Sequence, residues 1–284
     1  MAQASAREAL GAATDALVAA GIEDARLDAE VLLAEAMGMD RATLASDIGV
    51  EVHPAAARLF GEMVRRRLRR EPVAYILGRK GFRRLELAVD RRVLIPRPET
   101  ELLVEVALER RPRTLLDVGT GSGAIALAVA DELPECDVMA TDTSAAALEV
   151  ARANAEGLGL ADRVRFMEGT VPEANAFDLI VANLPYVAER DWASLQPEVT
   201  QWEPREALLA GPDGLDAIRR LLRERGCLLS PTGLQKTMAP AALALEVGEG
   251  QADAVAELMR EARFGRTEAR RDLAGIERVV VGER

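Results

Sequence analysis

From residue 114 onward the chain alternates between short apolar runs and amphipathic helical stretches, and this restricts the fold more than any other feature. Strand-like runs occupy 114–118, 137–142, 164–168, 177–183, 241–247 and 276–281. Helical periodicity fills 122–131, 144–158, 215–225 and 251–262. Strands joined through helices pair in parallel, because only a crossover returns the chain to start the next strand in the same direction. The pattern predicts a mostly parallel sheet with helices on both faces. Residues 226–240, mixed in character and without a period, receive no assignment.

The first part of the chain reads differently. Over residues 6–70, apolar positions such as Leu10, Ala13, Leu17, Leu27, Val31, Leu32, Ala34 and Ala36 recur at helical spacing. Gly21 and Gly38 mark helix stops, Pro54 marks a start, and His53 beside it reads as a capping or surface histidine without partners for a ligand role. The run Arg65-Arg66-Arg67-Leu68-Arg69-Arg70 has two readings: a grip on phosphates or an acidic partner, or the solvated, dipole-matched last turn of a helix. Between 72 and 95, Tyr75 to Gly78 and Leu85 to Val89 flank Arg79 to Arg84 in the manner of a hairpin. In Ile95-Pro96-Arg97-Pro98-Glu99-Thr100-Glu101 the prolines keep the chain extended before a helix begins. The expected division is a helical domain over 1–71, a hairpin linker over 72–95 and an α/β domain over 96–284.

Composition narrows the function. Of 284 residues, 49% are hydrophobic but only 3% aromatic, so Ala, Leu and Val must fill a sizeable core. A net charge of −11 argues against a global nucleic-acid-binding field. Two cysteines and one histidine supply neither a disulfide framework nor a zinc cluster. No run of about 18 apolar residues is present, so no membrane span is expected. Met1 to Glu8 carries acid early and lacks an apolar signal core, and the expectation is a cytoplasmic protein, monomeric by default.

Two motifs carry the chemistry. Leu115-Leu116-Asp117-Val118 runs into Gly119-Thr120-Gly121-Ser122-Gly123, a glycine turn between strand and helix whose backbone amides can face a ligand. The next strand ends in Asp142, 25 residues after Asp117, where a carboxylate can accept from both hydroxyls of a ribose. The turn also fits a dinucleotide fingerprint. Asp117, placed to pair with an ammonium and to repel a pyrophosphate, favours S-adenosylmethionine. The second motif, Asn183-Leu184-Pro185-Tyr186, follows the apolar run 177–182. The Asn183 side-chain oxygen and the Leu184 carbonyl can accept the two N–H groups of a planar amine. Pro185 fixes the turn and Tyr186 can stack on the acceptor. Together the motifs predict methyl transfer to an amide or aromatic amine nitrogen.

With these motifs the chain resembles the glutamine methyltransferases of peptide chain release factors, the HemK/PrmC type. The resemblance takes in the helical N-terminal region, Tyr75 to Gly78 with Phe82, Ile95 to Glu101, Asp117 to Gly123, Asp142 and Asn183 to Tyr186. It continues through Glu203-Pro204, Ala207-Leu208, Gly211 to Asp216, Glu246-Val247-Gly248 and Gln251. It implies a class I S-adenosylmethionine-dependent methyltransferase fold, Rossmann-like with a seven-stranded sheet. The implied activity is methylation of the glutamine in the Gly-Gly-Gln loop of release factors, with no stable nucleic-acid partner and no membrane. By motif, Gly119, Gly121, Gly123 and Asp142 would bind the cofactor, with Thr120 and Ser122 in the same turn, and Asn183 to Tyr186 would hold the glutamine. Arg97, Pro98, Glu99 and Thr100 would line the cofactor or acceptor pocket, and the N-terminal helices would help dock the substrate. Leu184 stands where the family usually has a second proline. Thr170 stands where it often has an acid, so that Thr170 or Val171 would face the adenine. Residues 226–240 lack the usual Pro-Gly-Gly turn.

Three other readings remain open on the residues. An adenine amino group in RNA or DNA presents the same planar N–H pair as an amide. A dinucleotide-dependent oxidoreductase shares the glycine turn. A non-catalytic scaffold would keep the fold, but Asp142 and Asn183 argue against it.

Overall fold

In the computed structural model, which describes residues 4–172, 177–227 and 242–284, the N-terminal helices begin and end where their caps dictate. α1 (Ala6–Ala19) opens with a capping box: the Ser5 hydroxyl accepts from the Glu8 N–H while the Glu8 carboxylate accepts from the Ser5 N–H. α2 (Ala25–Met37) stops at Gly38, and α3 (Arg41–Ser46) is capped by Asp40. α4 (Pro54–Leu68) starts with proline in its first turn, and His53 Nδ1 accepts from the Ala56 N–H at 3.2 Å. Leu10, Leu17, Leu32, Leu33, Leu44 and Phe60 form the core of this unit, which comprises Met1–Arg79 together with Gln196–Trp202.

One expectation is corrected here. Tyr75, Ile76 and Leu77 are helical, in α5 (Val73–Leu77), and not in a hairpin strand. Pro72 fits the start of a helix, and its carbonyl accepts from the N–H groups of Tyr75 and Ile76, both at 3.0 Å. Arg66 then donates to the Tyr75 and Ile76 carbonyls at 3.2 and 3.1 Å, satisfying groups that a helix this short leaves open. The arginine run forms the basic last turn of α4, as the dipole-matched reading expects, with Arg65 and Arg69 exposed, while Arg66, Arg67 and Arg70 are engaged by partners within the unit. Arg66 also makes a paired contact with Glu71 at 2.8 and 2.6 Å. Arg67, which is buried, bridges Asp28 at 2.7 Å and Glu198 at 2.8 Å. Arg70 donates to the carbonyls of Ala20 and Gly21 and pairs with Glu198 at 2.9 Å. Glu198 lies on the helical turn α9 (Pro197–Trp202), which the chain contributes to this unit from far downstream.

The second unit comprises Lys80–Leu195 and Glu203–Arg284. β1 (Arg79–Phe82) and β2 (Leu85–Ala88) form the hairpin, four residues further along than the sequence suggests for its first strand. Phe82 and Leu87 enter the core, and Arg83 at the turn is held by Glu132 at 2.7 and 2.9 Å. The main sheet contains β3 (Thr114–Val118), β4 (Asp137–Asp142), β5 (Val164–Glu168), β6 (Leu179–Ala182), β7 (Ala242–Glu246), β8 (Arg266–Arg271) and β9 (Glu277–Glu283), in spatial order β5-β4-β3-β6-β7-β9-β8. Strands β3 to β7 pair in parallel, while β9 is antiparallel to both β7 and β8. The helices are α6 (Glu101–Arg110), α7 (Ala124–Glu132), α8 (Ala145–Gly157), α10 (Asp216–Cys227) and α11 (Ala252–Glu261).

Alternate residues of each strand feed opposite cores. Leu115, Val181 and Ala244 pack with α6, α7 and α8, whereas Leu116, Ile180 and Leu243 pack with α10 and α11. The sheet is thus covered on both faces. β8 escapes the sequence reading because Arg266 to Arg271 is a charged edge strand with no apolar alternation. The unassigned stretch 226–240 lies, from residue 228 on, outside the described residues. Among the described residues no helix is long and apolar enough to cross a membrane. Because β4 lies on one side of β3 and β6 on the other, the order reverses at β3, where a crevice is expected beyond the carboxyl ends.

Candidate active site

A cleft of about 200 Å³ opens at that switch point. Its floor is the turn after β3. The N–H groups of Gly119 and Thr120 both donate to the Thr141 carbonyl, at 2.8 and 2.9 Å, which ties the turn to the end of β4. Gly119 has a φ of +76°, and a Cβ there would stand 3.3 Å from Leu184 Cδ2. Leu184, which stands where the resembled family usually has a second proline, therefore packs over this glycine. A Cβ on Gly121 would project into open space, so the glycine keeps the cradle clear. Thr120 and Ser122 also line the cleft. Gly123 does not: a Cβ there would come within 2.9 Å of Leu127 Cδ1, and its part is to let α7 pack.

Asp142 reaches the cleft from the end of β4. Its Oδ2 accepts from the Gly121 N–H at 2.9 Å and its Oδ1 from the Ser144 N–H at 2.8 Å. Each oxygen retains capacity to accept once more, which suits a vicinal diol. Asp117 stands behind the turn and not in the cleft, unlike the placement the sequence suggests. It is fully buried, and its Oδ2 accepts from the Thr120 hydroxyl at 2.6 Å and the Ala126 N–H at 3.2 Å. Its Oδ1 has no hydrogen-bond partner. Burial pushes this carboxyl up to about 7.

At the other side of the cleft β6 ends, and Asn183, Leu184 and Pro185 line the wall. Asn183 Nδ2 donates to Thr100 Oγ1 at 3.0 Å. Arg97 and Thr100 line the cleft, whereas Pro98 and Glu99 do not. The Arg97 guanidinium pairs with Glu203, whose second oxygen accepts from the Ile95 N–H at 3.1 Å. This almost fully buried carboxylate brings Pro204, Glu206 and Ala207 onto the cleft, residues to which the sequence reading gives no site role. Thr170 lines the cleft, while Val171 packs against the core around Leu116.

Tyr186 lies outside the lining, and burial raises its phenol to about 12. Its backbone is clamped. Gln251 Nε2 donates to the Tyr186 carbonyl at 3.0 Å while Gln251 Oε1 accepts from the Gly248 N–H at 2.9 Å. Gly214, with φ +80°, comes so close that a Cβ would stand 2.2 Å from the Tyr186 oxygen. Val187 and Ala210 extend the clamp: the Val187 N–H donates to the Leu208 carbonyl and the Ala210 N–H to the Val187 carbonyl, at 2.8 and 3.0 Å. The Asp213 to Asp216 segment and Gln251, known from sequence only as parts of a resemblance, thus hold the loop after β6 in place.

These groups fit S-adenosylmethionine. A cleared glycine cradle, a carboxylate at the end of β4 with spare acceptor capacity, and an unpartnered buried carboxylate oxygen behind the turn together suit a ligand with a ribose and a cationic head.

Comparison with known proteins agrees with this geometry. Residues 8–78 match the family described as PrmC N-terminal domain, and residues 98–200 match the methyltransferase small domain. The chain is 45% identical over 261 residues to a release factor glutamine methyltransferase of Moorella thermoacetica, covering 89% of each chain. It is 41% identical over 280 residues to the same enzyme of Caulobacter vibrioides, covering 95% of this chain and 93% of that one. Among solved structures, the catalytic domain of hMettl16 in complex with MAT2A 3′UTR hairpin 6 superposes with a TM-score of 0.55 at 16% identity, over 70% of this chain and 75% of that one, and shares the fold. The chain belongs to the release factor glutamine methyltransferase family.

Proposed function

We propose that this protein transfers a methyl group from S-adenosylmethionine to the side-chain amide nitrogen of the glutamine in the Gly-Gly-Gln loop of peptide chain release factors. The observation that carries the reading is the position of Asn183. Its amide opens on the same cleft as the glycine turn and Asp142, in a chain of this family.

S-adenosylmethionine, when bound, supplies an electrophilic methyl. Asp142 accepts from the ribose hydroxyls, and the turn from Gly119 to Ser122 cradles the methionine end. Asn183 Oδ1 and the Leu184 carbonyl accept the two N–H groups of the glutamine amide. That geometry turns the nitrogen toward the methyl although its lone pair is delocalised. It also stabilises the positive charge that develops there before a proton is lost. Such positioning contributes roughly 7–11 kcal/mol in favourable cases. Thr170, which lines the cleft, would face the adenine. The helical unit around α1 to α5 is the surface we assign to docking the protein substrate.

Asn183→Ala tests the acceptor role. We expect cofactor affinity to be kept and turnover to fall roughly 100- to 1000-fold, the typical effect of losing one preorganised polar contact to a transition state. Unchanged turnover would remove Asn183 from the mechanism.

A further inference from the structure

Shortly after the loop that carries Asn183, the chain enters a 3-10 helix, Glu189–Ser194, in which no residue is buried. A second short 3-10 helix, Arg205–Ala207, follows Pro204. Pro204, Glu206 and Ala207 line the cleft, so Arg205 stands at its rim. Backbone hydrogen bonds fix the two helices to each other and to the Asn183 loop. The Arg205 carbonyl accepts from the N–H groups of Leu208 and Leu209 at 3.1 and 3.0 Å. The Leu208 carbonyl in turn accepts from Val187 at 2.8 Å, and the Gly211 carbonyl accepts from Glu189 at 3.0 Å. Across this frame the Arg205 guanidinium lies over the Trp192 ring, 5.1 Å from its centroid.

We propose that Trp192 and Arg205 form a docking platform for the substrate loop, taking the glycines that precede the acceptor glutamine. This rests on the glutamine-methylating function proposed above. Arg205 is exposed and Trp192 half-buried. Among the described residues, no hydrogen bond or ion pair engages the Arg205 guanidinium or the Trp192 indole N–H. Stacking fixes the plane of the guanidinium and leaves its N–H donors unspent. An exposed stacked pair adds little to the stability of a fold. Tryptophan and arginine are also the residues that most often dominate a protein–protein contact.

Shape and chemistry identify the occupant. Glycine has no Cβ, so a Gly-Gly segment can lay its backbone flat on an aromatic face and leave its carbonyl oxygens open to donors. The platform supplies both halves of that contact, an indole face for the backbone and a guanidinium for the carbonyls. A glutamine whose amide lies against Asn183 keeps its own backbone at the mouth of the cleft, and its neighbours in the chain then come within reach of Arg205.

The test measures cofactor affinity, kcat and KM for the full chain and for Trp192→Ala, Trp192→Phe and Arg205→Ala. Two substrates are used: a purified release factor, and the same factor carrying Gly→Ala immediately before the glutamine. Neither side chain is buried, so the variants should fold. Trp192→Ala should raise KM roughly 10- to 30-fold and Arg205→Ala roughly 3- to 10-fold, with kcat and cofactor affinity within about threefold of wild type. Trp192→Phe keeps a flat face and should stay near wild type. On the Gly→Ala factor the wild type should lose affinity to a similar extent. Trp192→Ala should lose no more there, because both changes remove the same contact. Unchanged KM in Trp192→Ala, or losses that multiply on the Gly→Ala factor, would overturn the proposal. A matching fall in kcat or in cofactor affinity would also overturn it, since the pair would then shape the cleft and not dock the substrate. Absence of methylation by the wild type would overturn the proposed function, and this inference with it.

Discussion

Asp117→Asn should make the free protein more stable, and more so as pH rises. In the folded state this carboxyl is fully buried, and its pKa rises from 3.8 to about 7. Over that interval the native protein holds a proton that the unfolded chain releases. The contribution of this group to stability is thus complete below about pH 4 and lost as pH rises through 7. A shift of about three units corresponds to a penalty on the order of 4 kcal/mol above pH 7. Asparagine does not titrate. Its oxygen can still accept from Thr120 and Ala126, but its NH2 group would replace an oxygen that has no partner. That unpaired donor costs about 1–3 kcal/mol. The net gain at about pH 8 is then on the order of 1–3 kcal/mol, shrinking or reversing at about pH 5. Urea unfolding of both proteins without ligand at the two pH values measures it. An equal difference at both pH values, or a variant less stable at the higher one, would refute the reasoning. Calorimetry of cofactor binding to the same pair separates two roles. A loss of tenfold or more in affinity assigns the buried charge to the ligand's ammonium, and unchanged affinity assigns it to the turn alone.

Other perturbations follow from the same geometry. Asp142→Ala should weaken cofactor binding roughly 100-fold, because it removes a charged acceptor as well as the anchor for Gly121; titration calorimetry reads it directly. Gly214→Ala would drive a Cβ to 2.2 Å from the Tyr186 carbonyl oxygen. It should cost about 1–3 kcal/mol or more in urea unfolding and lower turnover by displacing the acceptor loop.

The parts of this fold that are legible in sequence are those whose signal is local. The run from Thr114 to Asp142 declares a strand, a glycine turn, a helix and a second strand. The cleft forms where that pattern places it, with Gly119, Gly121, Asp142 and Asn183 around it. What escapes is set by distant contacts. Tyr75 and Ile76 have strand-forming side chains, yet they lie in a helix that starts at Pro72 and whose carbonyls are satisfied by Arg66. Nothing near Arg67 announces that its partner is Glu198, and nothing near Arg97 points to Glu203. Asp117 looks from sequence like a ligand-facing acid, because position relative to the glycines does not reveal that the side chain turns back to hold Thr120 and Ala126.

The central claim is tested most directly by mass spectrometry of a purified release factor incubated with this protein and S-adenosylmethionine, beside the same factor carrying Gln→Ala in its Gly-Gly-Gln loop. The account predicts one added methyl on the first, located at that glutamine, and none on the second. A methyl on both would contradict the assigned acceptor. No methyl on either, with cofactor binding intact, would contradict the proposed function and direct the search to the amino group of adenine.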